Sequence, residues 1–300
     1  MLLYPLSVFF LFIVMNVCLY FFKYNIYFIV ICIGAILRFI SIKPILDIID
    51  KYVITRYKSQ IERIKHNVRE SFIVQGNMTN TKQAIYILHP HGICSLTHVF
   101  HIGTDMTNWP YKNVKGVMHF LLSKIPFLLD FIDEDHVVDS TYTAMKEHVK
   151  TGRSMSMCLG NFTEGKYTDD TRITAIVKRR GGIFKMAIET GVPIIPVLSY
   201  GEQSKFKQLY TFGILEYLSK LTGLEINCPS FSCISEWLSI YKEPFKKKIY
   251  THIGQPIEVG ASRNPTKEEI HALRDKYMDA LRSLYKETRP KEYEEEIVII

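Results

Sequence analysis

The chain has 300 residues, of which 47% are hydrophobic, and a formal net charge of +7; its pI is about 8.9 and its mean hydropathy +0.05. That length suits one large domain or two small ones, and the basic balance favours anionic partners such as nucleic acid, anionic lipid or a phosphate-bearing substrate. No long Lys/Arg tract and no nucleic-acid motif is present, so nucleic acid is set aside.

Residues 2–22, LLYPLSVFFLFIVMNVCLYFF, carry no charge and are long enough to cross a bilayer core, which takes about 20 residues. After Lys23 and Asn25, IYFIVICIGAIL resumes over 26–37 and stops at Arg38. This second run is short for a span unless Arg38 snorkels or the segment is re-entrant. A cleaved signal peptide fits less well: no basic region precedes the apolar run and no small-x-small cleavage site follows it. Residues 1–42 are therefore expected to form a membrane hairpin, transmembrane or re-entrant. The turn offers only Lys23, whereas Arg38, Lys43, Lys51, Arg56, Lys58, Arg63, Lys65 and Arg69 follow the second run. The positive-inside rule then puts the following side in the cytosol.

Residues 43–83 read as a basic, membrane-proximal helix and a linker. Leu46, Ile49, Val53, Tyr57, Ile61, Ile64 and Val68 recur every three or four positions, the period of an amphipathic helix. Its apolar face is expected to pack on the following domain, to lie on the anionic membrane surface, or both.

From residue 84 to 300 strands and helices alternate. AIYIL, VKGVMH, HVV, RSMSMCL, VPIIPVLS and KKIYTHIGQPIEV read as strands; TYTAMKEHVKTG and GGIFKMAIETG read as helices, the second closing at Gly191. FLLSKIPFLLDFI reads as a helix bent at proline. Thr266 and Glu269 make a capping box for a last helix, whose apolar face is Ile270, Leu273, Tyr277, Leu281 and Leu284. The stretch 203–245 has no clear period and reads as an insertion. The expected fold is an α/β sandwich around a largely parallel sheet.

Open α/β sheets place their chemistry at the carboxyl ends of strands. Two polar groupings fall there. AIYIL delivers His89-Pro90-His91-Gly92, and RSMSMCL delivers Gly160-Asn161-Phe162-Thr163-Glu164. An imidazole beside a carboxylate can take a proton from a hydroxyl. The sequence lacks G-x-S-x-G, H-E-x-x-H, the P-loop and G-x-G-x-x-G. His89, His91, His98 and His101 match no zinc-ligand spacing, so no metal is assigned. The six cysteines, Cys18, Cys32, Cys94, Cys158, Cys228 and Cys233, form no C-x-x-C pair; they read as ordinary thiols of a reducing compartment.

HPHG, GNFTEG, RRGGIFKMAIETGVPIIPVLSYGE and IGQPIEVGASRNPTKEEIHALRDKYMDAL occur in this order over residues 84–300. Together with the hydrophobic N-terminus they resemble the diacylglycerol acyltransferase type 2 family, which also holds monoacylglycerol and wax-alcohol acyltransferases. The resemblance implies a glycerolipid-acyltransferase-like fold and an endoplasmic reticulum enzyme with its catalytic domain facing the cytosol. It would move a fatty acyl group from acyl-CoA, a co-substrate rather than a resident cofactor, to a neutral acylglycerol hydroxyl at the lipid bilayer. Diacylglycerol is the first acceptor expected; monoacylglycerol and long-chain alcohols remain open, as does a non-catalytic lipid-surface paralogue. Oligomeric state is not legible.

Acyl transfer from a thioester needs a base for the alcohol and a site for the oxyanion. His91 is read as the base, since Pro90 stiffens its approach and Gly92 permits a tight turn behind it; His89 is read as its support. The wider superfamily carries H-x-x-x-x-D, but Leu96 and Cys94 stand five residues after His91 and His89. The resemblance of GNFTE to a GGAAE-like loop implies Glu164 as the substitute carboxylate, although the three middle positions differ. Pro90, Gly92, Gly160 and Asn161 are read as substrate-binding. Lys178, Arg179 and Arg180 precede a glycine pair and a helix N-terminus, with Lys185 one turn on. They are read as contacts for CoA phosphates or lipid headgroups; a solvated basic loop is the alternative. Residues 133–143, DEDHVVDSTYT, hold no arginine or lysine where a phosphorylated acceptor would need one. Lys146 or Arg153 could take that role if the alignment slips.

Overall fold

The computed structural model describes residues 62–76, 82–92, 95–102, 107–111, 113–119, 136–160, 164, 167–169, 171–202, 239–240 and 242–300, with backbone alone at 209–210 and 228–229. All of them belong to the larger of two units, 62–120 with 131–300. The expected hairpin at 1–42, most of the basic helix and the proline-bent helix lie outside the described residues. Among the described residues, no helix is long and apolar enough to cross a membrane.

A seven-stranded sheet organises the chain, in the order β1-β10-β7-β2-β5-β3-β4. Its strands are β1 (Phe72–Gly76), β2 (Ile85–His89), β3 (Val114–Met118), β4 (Val137–Asp139), β5 (Ser154–Cys158), β7 (Ile194–Tyr200) and β10 (Ile249–Ile253). Five neighbours, β7, β2, β5, β3 and β4, run parallel; β10 lies antiparallel to β7 and carries β1 parallel to itself. Two small ladders complete the set: β6 (Thr174–Ala175) with β11 (Val298–Ile299), and β8 (Leu209–Tyr210) with β9 (Cys228–Pro229). The α/β class and the mostly parallel sheet are as the sequence pattern indicates.

The core strands explain themselves. Every residue of β2 and β7 is buried, as central parallel strands covered on both faces require. Pro196 lies inside β7, yet the antiparallel ladder with β10 begins just beyond it at Val197, so its missing N–H leaves no gap on that side. Side chains alternate across β2. Ile85 and Ile87 enter one cluster with Met145 and Val149 of α2 (Tyr142–Lys150), Phe184 and Ala187 of α3 (Gly181–Thr190), and Leu273, Tyr277 and Leu281 of α4 (Lys267–Thr288). Tyr86 and Leu88 face the other side with Ile102 of α1 (Leu96–Ile102), Val114, Ile195 and Val197. The same parity sends His89 to the α3–α4 side.

Helix ends follow their local chemistry. Gly191 closes α3 in the left-handed region at φ 66°, and both bonds of the Thr266/Glu269 capping box are formed. Residues 62–71 are helical and bury Ile64 and Val68 against Phe72, Phe100, Phe245 and Ile249, so this end of the amphipathic helix packs on the domain. Strand β1 occupies part of the stretch read as linker. Its five residues show no alternation of their own; long-range pairing with β10 makes them a strand.

Candidate active site

His89 ends β2, and Pro90-His91-Gly92 turn away from the sheet edge, with a cis peptide between His89 and Pro90 and Gly92 at φ 63°. His89 and Glu164 are both 0% exposed. Glu164 leaves the loop after β5, the parallel neighbour of β2. Its Oε1 lies 2.7 Å from His89 Nδ1 and also accepts the Ile176 N–H at 2.8 Å; its Oε2 accepts the His91 N–H at 2.7 Å. Three donors therefore fix both carboxylate oxygens, as a buried carboxylate demands. Gly160 makes room for them: a Cβ there would overlap the Glu164 side chain.

The carboxylate was expected at the His91 ring. The structure puts Glu164 Oε1 against the His89 ring and Oε2 against the His91 backbone N–H. The half-buried His91 ring instead lies 2.8 Å through Nδ1 from the Gly92 carbonyl. Strand parity explains the difference, since His89 continues the Ile85–Ile87 face onto which the Glu164 loop folds. In the neutral imidazole with Nδ1–H donating to Glu164, His89 Nε2 is left as an acceptor; that atom is buried and finds no hydrogen-bond partner among the described residues.

A second buried carboxylate escaped the sequence reading. Glu202 follows β7, the other parallel neighbour of β2, and is 1% exposed. It accepts the N–H groups of Leu96 at 2.8 Å and Thr97 at 3.1 Å, and the Thr97 hydroxyl at 2.5 Å. It thereby caps α1 and abuts Gly92, where a Cβ would meet Oε1 at 2.8 Å. Burial pushes its carboxyl up to about 7, against the pull of these bonds. The only signal was Glu202's place in the SYGE block at a strand end.

The remaining imidazoles have separate partners. His98 Nε2 lies 2.8 Å from the Ser156 hydroxyl, and burial lowers it to about 4. His101 lies between the Thr107 and Thr251 hydroxyls at 2.8 and 2.9 Å, stacks on Trp109, and is lowered to about 3. Among the described residues no cluster of three or more His, Cys, Asp or Glu could hold a metal ion. Cys158 ends β5 beside Ser95, and burial pushes its thiol far above the usual range, which is the wrong direction for a thiolate nucleophile.

The basic group is placed by the same loop. Ile176 binds Glu164, and Lys178 follows two residues later, about 7 Å away at most. The Lys178 backbone is held by the Ile300 carbonyl and by Arg274. Lys178 and Arg179 are exposed and Arg180 half-buried at the start of α3, which has no side-chain cap. Lys185 is exposed but shares Glu189 with Lys146, at 3.7 and 2.7 Å. Asn161 lies outside the described residues.

The family model described as "Diacylglycerol acyltransferase" matches residues 47–299. Acyl-CoA wax alcohol acyltransferase 2 of Mus musculus is 24% identical over 226 residues, covering 69% of this chain and 66% of its own. The 2-acylglycerol O-acyltransferase 1 of Bos taurus is 30% identical over 224 residues, covering 69% and 65%. The chain thus spans just under two thirds of the length of these relatives. The crystal structure of the 1-acyl-sn-glycerophosphate (LPA) acyltransferase PlsC from Thermotoga maritima superposes with a TM-score of 0.45 at 14% identity, over 81% of this chain and 83% of that one.

Proposed function

Since the chain belongs to the diacylglycerol acyltransferase family, we propose that it transfers a fatty acyl group from acyl-CoA to a neutral acylglycerol hydroxyl, diacylglycerol first. The observation that carries this reading is the buried Glu164 carboxylate on Nδ1 of His89 at the end of β2. A carboxylate there fixes tautomer and ring orientation and faces the positive charge the ring acquires during proton transfer. In the proposed step His89 Nε2 takes the hydroxyl proton while the oxygen bonds to the thioester carbonyl carbon. The tetrahedral intermediate then expels CoA thiolate, which receives the proton back from Nε2. Lys178, Arg179 and Arg180 supply cations for the CoA phosphates two residues beyond the Glu164 contact.

A second reading gives the base role to His91. Its support is exposure: His91 is half-buried, whereas His89 is completely enclosed. The two readings separate in steady-state kinetics of His89→Ala and His91→Ala at matched expression. Losing a general base costs about 10²–10⁴-fold. A larger fall in His89→Ala supports the first reading; a larger fall in His91→Ala moves the base to His91.

Neutrality of the acceptor has its own support. Lys146 is held by Glu189. Arg153 immediately precedes β5, at the edge opposite the His89 end of parallel β2, so neither cation attends the imidazoles. Competition between diacylglycerol and lysophosphatidic acid for one labelled acyl-CoA should yield triacylglycerol; predominant phosphatidic acid would overturn the assignment. The proposed setting is the endoplasmic reticulum membrane, held by residues 1–42 with the catalytic body in the cytosol. Resistance to alkaline carbonate extraction tests the anchor. An N-glycan at Asn77 or Asn161 would reverse the orientation.

A further inference from the structure

Among the described residues, two buried side-chain atoms of neighbouring rings find no hydrogen-bond partner: His89 Nε2 and the Tyr277 hydroxyl. Unpaired buried polar atoms are uncommon in folded proteins, and each calls for an explanation. Both residues are 0% exposed. Tyr277 reaches the site from α4, on the face that also carries Leu273 and Leu281. Its ring centroid is 6.2 Å from that of His89, and Phe184 packs against it at 5.5 Å. Its phenol lies in the field of Glu164 and Cys158, and burial raises it well above the ordinary range, so it remains a protonated donor.

The donor and acceptor pattern of the two atoms is specific. In the neutral imidazole whose Nδ1–H faces Glu164, Nε2 can only accept, while the Tyr277 O–H has a proton to donate. One group satisfies both: it must donate a proton to Nε2 and accept one from Tyr277. A carbonyl oxygen cannot donate, and an ammonium cannot accept. A hydroxyl does both.

We propose that His89 Nε2 and the Tyr277 hydroxyl form one hydroxyl-binding site, and that Tyr277 is a further catalytic residue holding the acceptor's oxygen. The proposal rests on the reading of His89 as the base. The acceptor's O–H bond breaks toward Nε2, its oxygen bonds to the thioester carbon, and the departing thiolate recovers that proton. Tyr277 keeps its own proton throughout. Its hydrogen bond orients the attacking oxygen and stabilises the negative charge that grows on it as the proton leaves. A water molecule has the same donor and acceptor pattern, so the test must tell substrate from solvent.

Full-length Tyr277→Phe, assayed in membranes, removes the donor and retains the ring. The expected result is a 10- to 100-fold fall in kcat/KM for the acceptor, with KM for acyl-CoA changed less than twofold. A deoxy acceptor, with hydrogen in place of the reacting hydroxyl, adds a binding arm. The wild type should bind the hydroxyl compound more tightly than the deoxy one, and Tyr277→Phe should lose that preference. If the hydroxyl preference survives, or if the variant lowers stability without changing acceptor kinetics, the site holds a structural water and the proposal is overturned. Unchanged kinetics would overturn it as well. His89→Ala run in parallel isolates the underlying reading: if it retains activity, the base assignment has failed, whereas an inactive His89→Ala beside a silent Tyr277→Phe defeats only the Tyr277 proposal. Should the Phe variant not accumulate, 3,5-difluorotyrosine at 277 keeps the hydroxyl and makes it a stronger donor. Acceptor kinetics should then shift while acyl-CoA kinetics do not, and no shift in either would count against the site.

Discussion

β2 has a parallel neighbour on each side, and each neighbour hands a buried glutamate to the segment that leaves β2. Glu164, after β5, takes the His89 ring and the His91 amide. Glu202, after β7, takes the Leu96 and Thr97 amides and the Thr97 hydroxyl. A glycine lies against each: Gly160 beneath Glu164, Gly92 against Glu202. Burial is equal, so burial does not distinguish them; their donors do. One of Glu164's donors is an imidazole that can change charge, whereas Glu202's hydrogen-bond donors among the described residues are two amides and a hydroxyl. The first arrangement equips a proton transfer, and the second anchors the chain that carries it.

The largest effect should come from breaking the Glu164 side without touching a titratable group. In Gly160→Ala the new Cβ would overlap the Glu164 carboxyl, whose surroundings are closed. Acyl transfer should fall about 10²–10⁴-fold, like the loss of the base itself. Glu164→Gln should approach that loss, because an amide cannot serve three donors through two acceptor oxygens. Gly260→Ala, where a Cβ meets nothing within 4 Å, should stay near wild type in the same assay. Normal activity in Gly160→Ala would mean that the Glu164–His89 pair is dispensable.

A smaller effect is expected from the other glutamate. Glu202→Gln leaves one acceptor oxygen where two amides and a hydroxyl converge, so α1 and the Gly92 turn lose part of their anchor. Folding stability should drop by about 1 kcal/mol, a typical capping loss, and acyl transfer should fall less than in Gly160→Ala. The sign of its pH effect is distinctive. A carboxyl raised to about 7 in the folded state binds a proton there that the unfolded chain, with an ordinary value near 4.5, releases. Stability should therefore decline as pH rises from 4.5 to 7 and level off above. Thermal unfolding of the detergent-solubilised Gln variant should lack that decline. An unchanged slope would assign it to another group.

The two glutamates also differ in how readable they were. Glu164 stands beside a glycine at the end of a strand-like run, in a block whose resemblance carries a carboxylate. Glu202 stands at a strand end too, but its partners are over 100 residues away in sequence and only the β7–β2 pairing brings them together. The alternation of strands and helices was legible from the buried runs of β2 and β7 and the capping box of α4. Strand β1 was not, because its pairing with β10 joins distant parts of the chain. The partner of Glu164 was misread for a related reason: sequence spacing makes His89 and His91 equivalent, whereas the alternation of side chains along β2 continues to His89 and stops at the turn.

The smallest predicted effect lies on the opposite face of the sheet and has the opposite sign to that of Glu202. His101 is 3% exposed, held by the Thr107 and Thr251 hydroxyls, and stacked on Trp109. Burial lowers it to about 3, with neighbouring His98 adding to the shift. In the unfolded chain a histidine takes up its proton near 6.5. Below that pH the unfolded state gains a proton that the folded state refuses, so stability falls as the medium is acidified from 6.5 through about 3. His98, lowered to about 4, adds a second such loss. Between 4.5 and 6.5 these two histidines act against the single carboxyl of Glu202, and the pair should outweigh it. His101→Gln keeps a hydrogen-bonding side chain and removes the titration. Urea denaturation followed by tryptophan fluorescence should then show a shallower acid limb, by up to about 1.4 kcal/mol per pH unit, and little change in the acyl-transfer rate near neutrality. If the limb keeps its slope, His101 is protonated while the protein is still folded, and its burial between the two threonines is incomplete in solution.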